Sequence, residues 1–220
     1  MAGDGSTVRL SERRAEPFQR SDVADDIFLA VFEECLEAFE DAKVPHLLVG
    51  GIASAVLGRP RMTTDIDVLV FPNDAKGALR ALASRGFDTQ ETNHFWLYKG
   101  FKNGVLVDVI FRLRGEIYLD QEMLDRAVAT TYKGVPVRAI PPEDLIVIKA
   151  VTADEECPHH WHDALTALVS GQSLDWDYLV RRSAAGMRRV LSLLLYAQSN
   201  DIVVPDRVVR TLFALALPDE

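Results

Sequence analysis

The chain has little cysteine, no long apolar run and no surplus of positive charge. Its 220 residues include only two cysteines, Cys35 and Cys157. That excludes a disulfide scaffold and suits a reducing, cytoplasmic setting. No uninterrupted apolar stretch approaches the roughly 20 residues a membrane-spanning helix needs, so no membrane partner is expected. Residues 1–20 lack the apolar centre of a secretory signal and read as a disordered lead-in. The net charge is −9, the wrong sign for broad, nonspecific binding of nucleic acid. What is there is ordinary for a globular chain: 48% hydrophobic and 26% charged residues, enough for one core with a helical extension.

The periodicities divide the chain in two. Ser21 is placed to cap a helix whose first turn carries Asp22, Asp25 and Asp26. Phe28, Val31, Phe32, Cys35, Leu36 and Phe39 follow at helical spacing. A short strand is expected over 46–49, a short helix over 52–57 closed by Gly58, a strand over 65–71 and a helix over 74–85. Strands over 95–101 and 105–111 flank Asn103-Gly104, a hairpin signal because both residues tolerate positive φ. A second hairpin is expected around Gly134. After Pro141-Pro142 the pattern is helical almost throughout, over 143–152, 160–169, 176–184, 187–198 and 205–217. The reading is a mixed α/β unit over 21–140 and a helical region over 141–220. The element order predicts an α+β fold: a mixed sheet with helices to one side.

Three carboxylates stand out. Asp65-Ile66-Asp67-Val68-Leu69-Val70 is a strand, so Asp65, Asp67 and Leu69 share one face. Asp is disfavoured in strands, and two ionised carboxylates this close raise each other's pKa. A divalent cation bound through oxygen ligands, such as Mg²⁺, resolves the repulsion. Asp108 lies alone within the apolar run Val105-Leu106-Val107-Asp108-Val109-Ile110-Phe111. If that strand neighbours 65–71, Asp108 faces the pair, and three carboxylates suit two metal ions. Asp108 is then the candidate to take a hydroxyl proton or to ligate a metal. Gly50-Gly51, between a strand and a helix start, lets backbone amides approach a phosphate. Ser54, Arg61 and Thr64 are placed to add contacts to the phosphate tail.

Gly50-Gly51, Asp65-Ile66-Asp67 after the thirteen residues 52–64, and a lone strand Asp resemble the polymerase-β-like nucleotidyltransferase superfamily. Within it, the chain is most similar to minimal nucleotidyltransferases and AbiEii-type toxin enzymes. The resemblance covers about residues 45–165. It implies that Gly50 and Gly51 hold a nucleoside triphosphate. It further implies that Asp65 and Asp67 bind two Mg²⁺, with Mn²⁺ as the substitute, and that Asp108 completes the site. Many members carry Ser directly after the first glycine, where this chain has Gly51. Pro142-Glu143-Asp144-Leu145-Ile146-Val147-Ile148-Lys149-Ala150 resembles the helix that follows the catalytic sheet in AbiEii-like members. Lys149 shares the inward face of Leu145 and Ile146 and is implied to contact the triphosphate. Asp163 is implied as its partner or as a site-ordering residue.

The resemblance implies transfer of a nucleoside monophosphate from an NTP to a hydroxyl. The acceptor stays open between a tRNA or RNA end, a protein side chain and a small molecule such as an aminoglycoside. A toxin-like member would have a cognate antitoxin. The competing reading is a catalytically silent nucleotide-binding or antitoxin-like module. Cys157-Pro158-His159-His160-Trp161-His162 gathers N and S donors, but the spacing matches no common zinc pattern. The segment reads as a helix start near the site or as surface. Trp96 and Tyr98 read as sheet packing, with base stacking as the alternative.

Overall fold

The computed structural model describes residues 23–58, 60, 62–170 and 173–218. The 1–20 lead-in, the Ser21 cap and Arg61 lie outside the described residues. Helix α1 (Asp25–Asp41) buries Phe28, Val31, Phe32, Cys35, Leu36 and Phe39, the residues its periodicity selects. Its N-cap is Ala24, which makes no side-chain cap bond. Strand β1 (His46–Leu48) leads into α2 (Gly50–Leu57), which Gly58 caps. There follow β2 (Asp65–Val70), α3 (Ala75–Ser84), β3 (Asp88–Asn93), β4 (Leu97–Lys102) and β5 (Val105–Ile110). Between β4 and β5, Asn103 (φ 50°) and Gly104 (φ 81°) turn the chain with left-handed backbones, as a two-residue hairpin demands.

After α4 (Gln121–Asp125), strands β6 (Val128–Tyr132) and β7 (Val135–Ala139) form the second hairpin. The back half is α5 (Pro142–Thr152), α6 (His159–Val169), α7 (Trp176–Arg182), α8 (Met187–Ser199) and α9 (Asp206–Ala216). Two of these elements were not expected from the sequence. β3 is polar along its whole length and mostly exposed, an edge strand without an apolar alternation to betray it. α4 is only five residues long and is held by its cap, Asp120, which accepts a hydrogen bond from the Met123 amide.

The seven strands form one sheet in the order β3-β4-β5-β2-β1-β7-β6. β2 runs parallel to β5 and β1 parallel to β7, while the remaining neighbours are antiparallel. Strand alternation splits the core. Ile66, Val68 and Val70 of β2 pack with α1 and α3 on one face. Leu69 belongs to the opposite cluster, which extends into α5, α6, α8 and α9. The two helices that flank the front half of the sheet, α1 and α3, thus lie on one side of it. The helical back half closes on the other. Each large aliphatic buried this way contributes about 1.5–3 kcal/mol. Among the described residues, no helix is long and apolar enough to cross a membrane.

Candidate active site

The carboxylates stand on the face that the back half covers. Asp65 and Asp67 share it with Leu69, and the parallel register between β2 and β5 sets Asp67 directly beside Asp108. On the other flank of β5, Lys99 of β4 is in register with Asp108. Its Nζ lies 2.8 Å from Asp108 Oδ1. Lys99 was not singled out from the sequence, yet a signal for it exists. A two-residue turn at Asn103-Gly104 pairs 102 with 105, and counting back pairs 99 with 108.

The glycine turn is built around Asp67. Gly50 has φ +59°, and a Cβ there would lie 1.9 Å from Asp67 Oδ2. The Gly51 amide donates to that same oxygen at 3.3 Å, and the Val49 amide donates to the Asp67 carbonyl at 3.0 Å. The N-terminal end of α2 is therefore turned toward a carboxylate. Burial, and next the charge of Asp108, push the Asp67 carboxyl up to about 6. Burial also raises Asp108, with the ion pair to Lys99 opposing it. Thr64 Oγ1 donates to Asp65 Oδ1 at 3.0 Å.

Ser54 and Lys149, both expected at the phosphate tail, are joined through Asp163, the residue expected to partner Lys149. Ser54 is buried, and its hydroxyl lies 2.8 Å from the Gly50 carbonyl and 3.2 Å from Asp163 Oδ2. A serine one helical turn after Gly50 bonds back to that carbonyl, so the hydroxyl braces the glycine turn. Lys149 is buried with its Nζ 2.9 Å from Asp163 Oδ2. Its ammonium also lies 3.2 Å from His160 Nδ1. One chain of contacts thus runs from Gly50 through Ser54, Asp163 and Lys149 to His160, tying α2, α5 and α6 together.

Of the residues expected at the site, Gly50, Gly51, Thr64, Asp65, Asp67 and Lys149 line a cleft of about 460 Å³, while Ser54, Asp108 and Asp163 stand behind its lining. His159 and His160 line it too, which places the start of α6 at the site. Among the described residues, no three His, Cys, Asp or Glu side chains are gathered to enclose a cation as they stand.

A mixed sheet carrying an Asp-x-Asp strand beside a third strand carboxylate, with a glycine turn at the cleft, defines a polymerase-β-like nucleotidyltransferase fold. The chain belongs to a family described as uncharacterised nucleotidyltransferases, whose family model matches residues 11–199. No curated protein matches it. Among solved structures it is similar to the solution structure of the antibiotic-resistance factor ANT(2'')-Ia. Identity there is 19%, covering 80% of this chain and 100% of that chain, with a TM-score of 0.57. A crystal structure of ANT(2'')-Ia in complex with adenylyl-2''-tobramycin shares 21% identity over 73% of this chain and 97% of that chain, with a TM-score of 0.54. An antigenic nucleotidyltransferase-like protein from Paracoccidioides brasiliensis shares 14% identity over 86% of this chain and 94% of that chain, with a TM-score of 0.52. At these identities the likeness is one of fold.

Proposed function

We propose that this nucleotidyltransferase moves a nucleoside monophosphate from an NTP onto a hydroxyl of a small molecule and releases pyrophosphate. The observation that carries the reading is the register that sets Asp108 beside Asp67, at a cleft that Asp65, Asp67 and the Gly50–Gly51 turn line.

The donor set fits a hard divalent cation. Asp65 and Asp67 offer only oxygen, and the crowding and burial that raise Asp67 are what a cation relieves. Asp65 and Asp67 would hold Mg²⁺, or Mn²⁺ in its place, and Asp108 would join them on releasing Lys99. Two bound ions would neutralise the triphosphate and acidify the attacking hydroxyl. The chain's own groups do the rest. The Gly50–Gly51 turn lets the triphosphate approach the backbone. Lys149, fixed by Asp163, sets a positive charge on the cleft wall. Asp108 takes the proton of the acceptor hydroxyl as its oxygen bonds to the α-phosphorus. The bond from that phosphorus to the bridging oxygen of the β-phosphate breaks, and pyrophosphate leaves with the electron pair.

The net charge of −9 supports a small acceptor over RNA, whose phosphates it would repel. The fold likeness to ANT(2'')-Ia, solved with an adenylylated aminoglycoside, points the same way. The test incubates the protein with Mg²⁺ and each α-labelled NTP, adding small hydroxylated compounds, cell RNA or cell protein in separate arms. Label on a small molecule is the expected result. Label on RNA or protein moves the acceptor to that class and restores the toxin reading with its antitoxin. Tight NTP binding with no transfer in any arm overturns the catalytic reading of the cleft.

A further inference from the structure

Asp65, Asp67 and Asp108 account for the cleft but not for the hollow beside it. That hollow has a volume of about 560 Å³, and Trp96, Arg112, Arg114 and Glu116 line it. Leu113 and Thr152 line both spaces, so the two are neighbours.

One wall is an indole. Trp96 sits in the turn between β3 and β4 and is 43% exposed, whereas Tyr98, two residues on, is 4% exposed and packs in the sheet. An exposed indole beside a reaction cleft is a stacking surface. The other wall is rigid. Leu113 and Ile117 bridge as a miniature hairpin, the Leu113 amide donating to the Ile117 carbonyl at 2.8 Å. Two of the three residues between them, Gly115 (φ 85°) and Glu116 (φ 58°), are left-handed. A Cβ on Gly115 would lie 2.7 Å from the Ala185 carbonyl oxygen, so the turn is seated against the back half. A non-glycine residue held left-handed is costly and marks an over-determined segment.

The charges in the hollow balance. Arg112 pairs with Glu116, and Arg114 Nη1 lies 3.2 Å from Asp154 Oδ2. Tyr118 donates to Glu116 at 2.8 Å. A polyphosphate or a polycation finds no net opposite charge there. A flat aromatic face ringed by paired donors and acceptors suits a neutral, hydroxylated ring.

Building on the transfer reaction assigned above, we propose that this hollow holds a saccharide or cyclitol ring of the acceptor, stacked on Trp96 and hydrogen-bonded to Glu116 and Arg112. β5 and the segment after it run past both spaces: Asp108 stands beside Asp67, Ile110 lines the cleft and Leu113, beyond the strand's end, lines both. From 108 to 113 the chain spans at most roughly 17 Å. The acceptor is therefore a compound of two or more linked rings, with the reacting hydroxyl on a ring near Asp108 and another ring on Trp96.

The full chain with Mg²⁺ and α-labelled ATP is offered neutral disaccharides, cyclitol glycosides, free cyclitols and nucleosides. On the best-labelled acceptor, Trp96→Ala raises the acceptor KM tenfold or more, leaves the ATP KM within twofold, and Trp96→Phe restores most of the loss. Glu116→Gln raises the same acceptor KM and serves as the second variant should Trp96→Ala fail to fold. An unchanged acceptor KM in these variants overturns the assignment alone, as does a rise confined to the ATP KM, which would place the nucleobase there. If the wild-type chain labels none of these compounds, the small-molecule reading falls and this assignment falls with it.

Discussion

Gly50 and Asp67 occupy space that only a glycine leaves open: a Cβ on residue 50 would stand 1.9 Å from Asp67 Oδ2. Gly50→Ala must therefore displace the carboxylate and also hold an alanine left-handed, a backbone that costs about 1–2 kcal/mol. The expected outcome is a lower melting temperature together with loss of nucleotidyl transfer. A melt by circular dichroism and a label-transfer assay check the two halves. A variant that melts and turns over like wild type would show that Asp67 is free to move.

Asp67→Asn separates fold from chemistry. In the metal-holding role proposed for Asp67, its loss forfeits several kcal/mol at the transition state, on the order of a thousandfold in rate. The fold should gain, because the native carboxyl is raised to about 6 by burial and by Asp108. The sign follows from linkage. A group whose folded pKa exceeds its unfolded value stabilises below the unfolded value, and that contribution is lost as pH rises through the folded one. Without metal, wild type should lose melting temperature relative to Asp67→Asn as pH rises from 4 to 7. Millimolar Mg²⁺ should raise the wild-type melt and leave the variant unmoved.

Lys149→Met strips the counter-charge from a buried carboxylate. The pair to Asp163 is 2.9 Å long with both side chains almost wholly out of solvent. Breaking such a pair costs about 3–5 kcal/mol because the remaining charge is stranded. Urea unfolding should show that loss, and the double variant Lys149→Met, Asp163→Leu should recover most of it. Transfer activity should recover in neither variant.

Asp175 caps α7, accepting from the Tyr178 amide at 3.0 Å. That bond, and after it the Arg126 guanidinium, holds the carboxyl below the usual range. Asp175→Ala should cost about 1 kcal/mol at neutral pH, the ordinary worth of a cap. For a depressed pKa the contribution is present above the unfolded value and fades as pH falls through the folded one. The gap between wild type and variant in urea titrations should therefore narrow toward pH 3. A gap of constant size would mean that the carboxylate charge plays no part.

The sequence carried the local parts of this site well. The apolar alternation around Asp65, Asp67 and Asp108 placed each on a strand, because period two is written into consecutive residues. The Asn103-Gly104 turn was readable because left-handed backbones restrict residue choice. Ser54 shows what local reading leaves out: its bond to the Gly50 carbonyl follows from helical spacing, but its contact with Asp163 joins residues 109 apart in the sequence. Lys99 needed a register carried across a hairpin, and His160 needed the packing of α6 on α5. β3 offered no apolar signal, since an edge strand buries little.

α5 has ten of its eleven residues buried, including Glu143, Asp144 and Lys149. At its first turn, Asp144 is gripped by the Tyr178 hydroxyl and Arg182 of α7. At its last turn, Lys149 reaches the cleft. A rod clasped on every side has no face along which to slip. The helix is anchored at its first turn by α7 and at its last by Asp163 of α6, so the charge on the cleft wall owes its place to the back half.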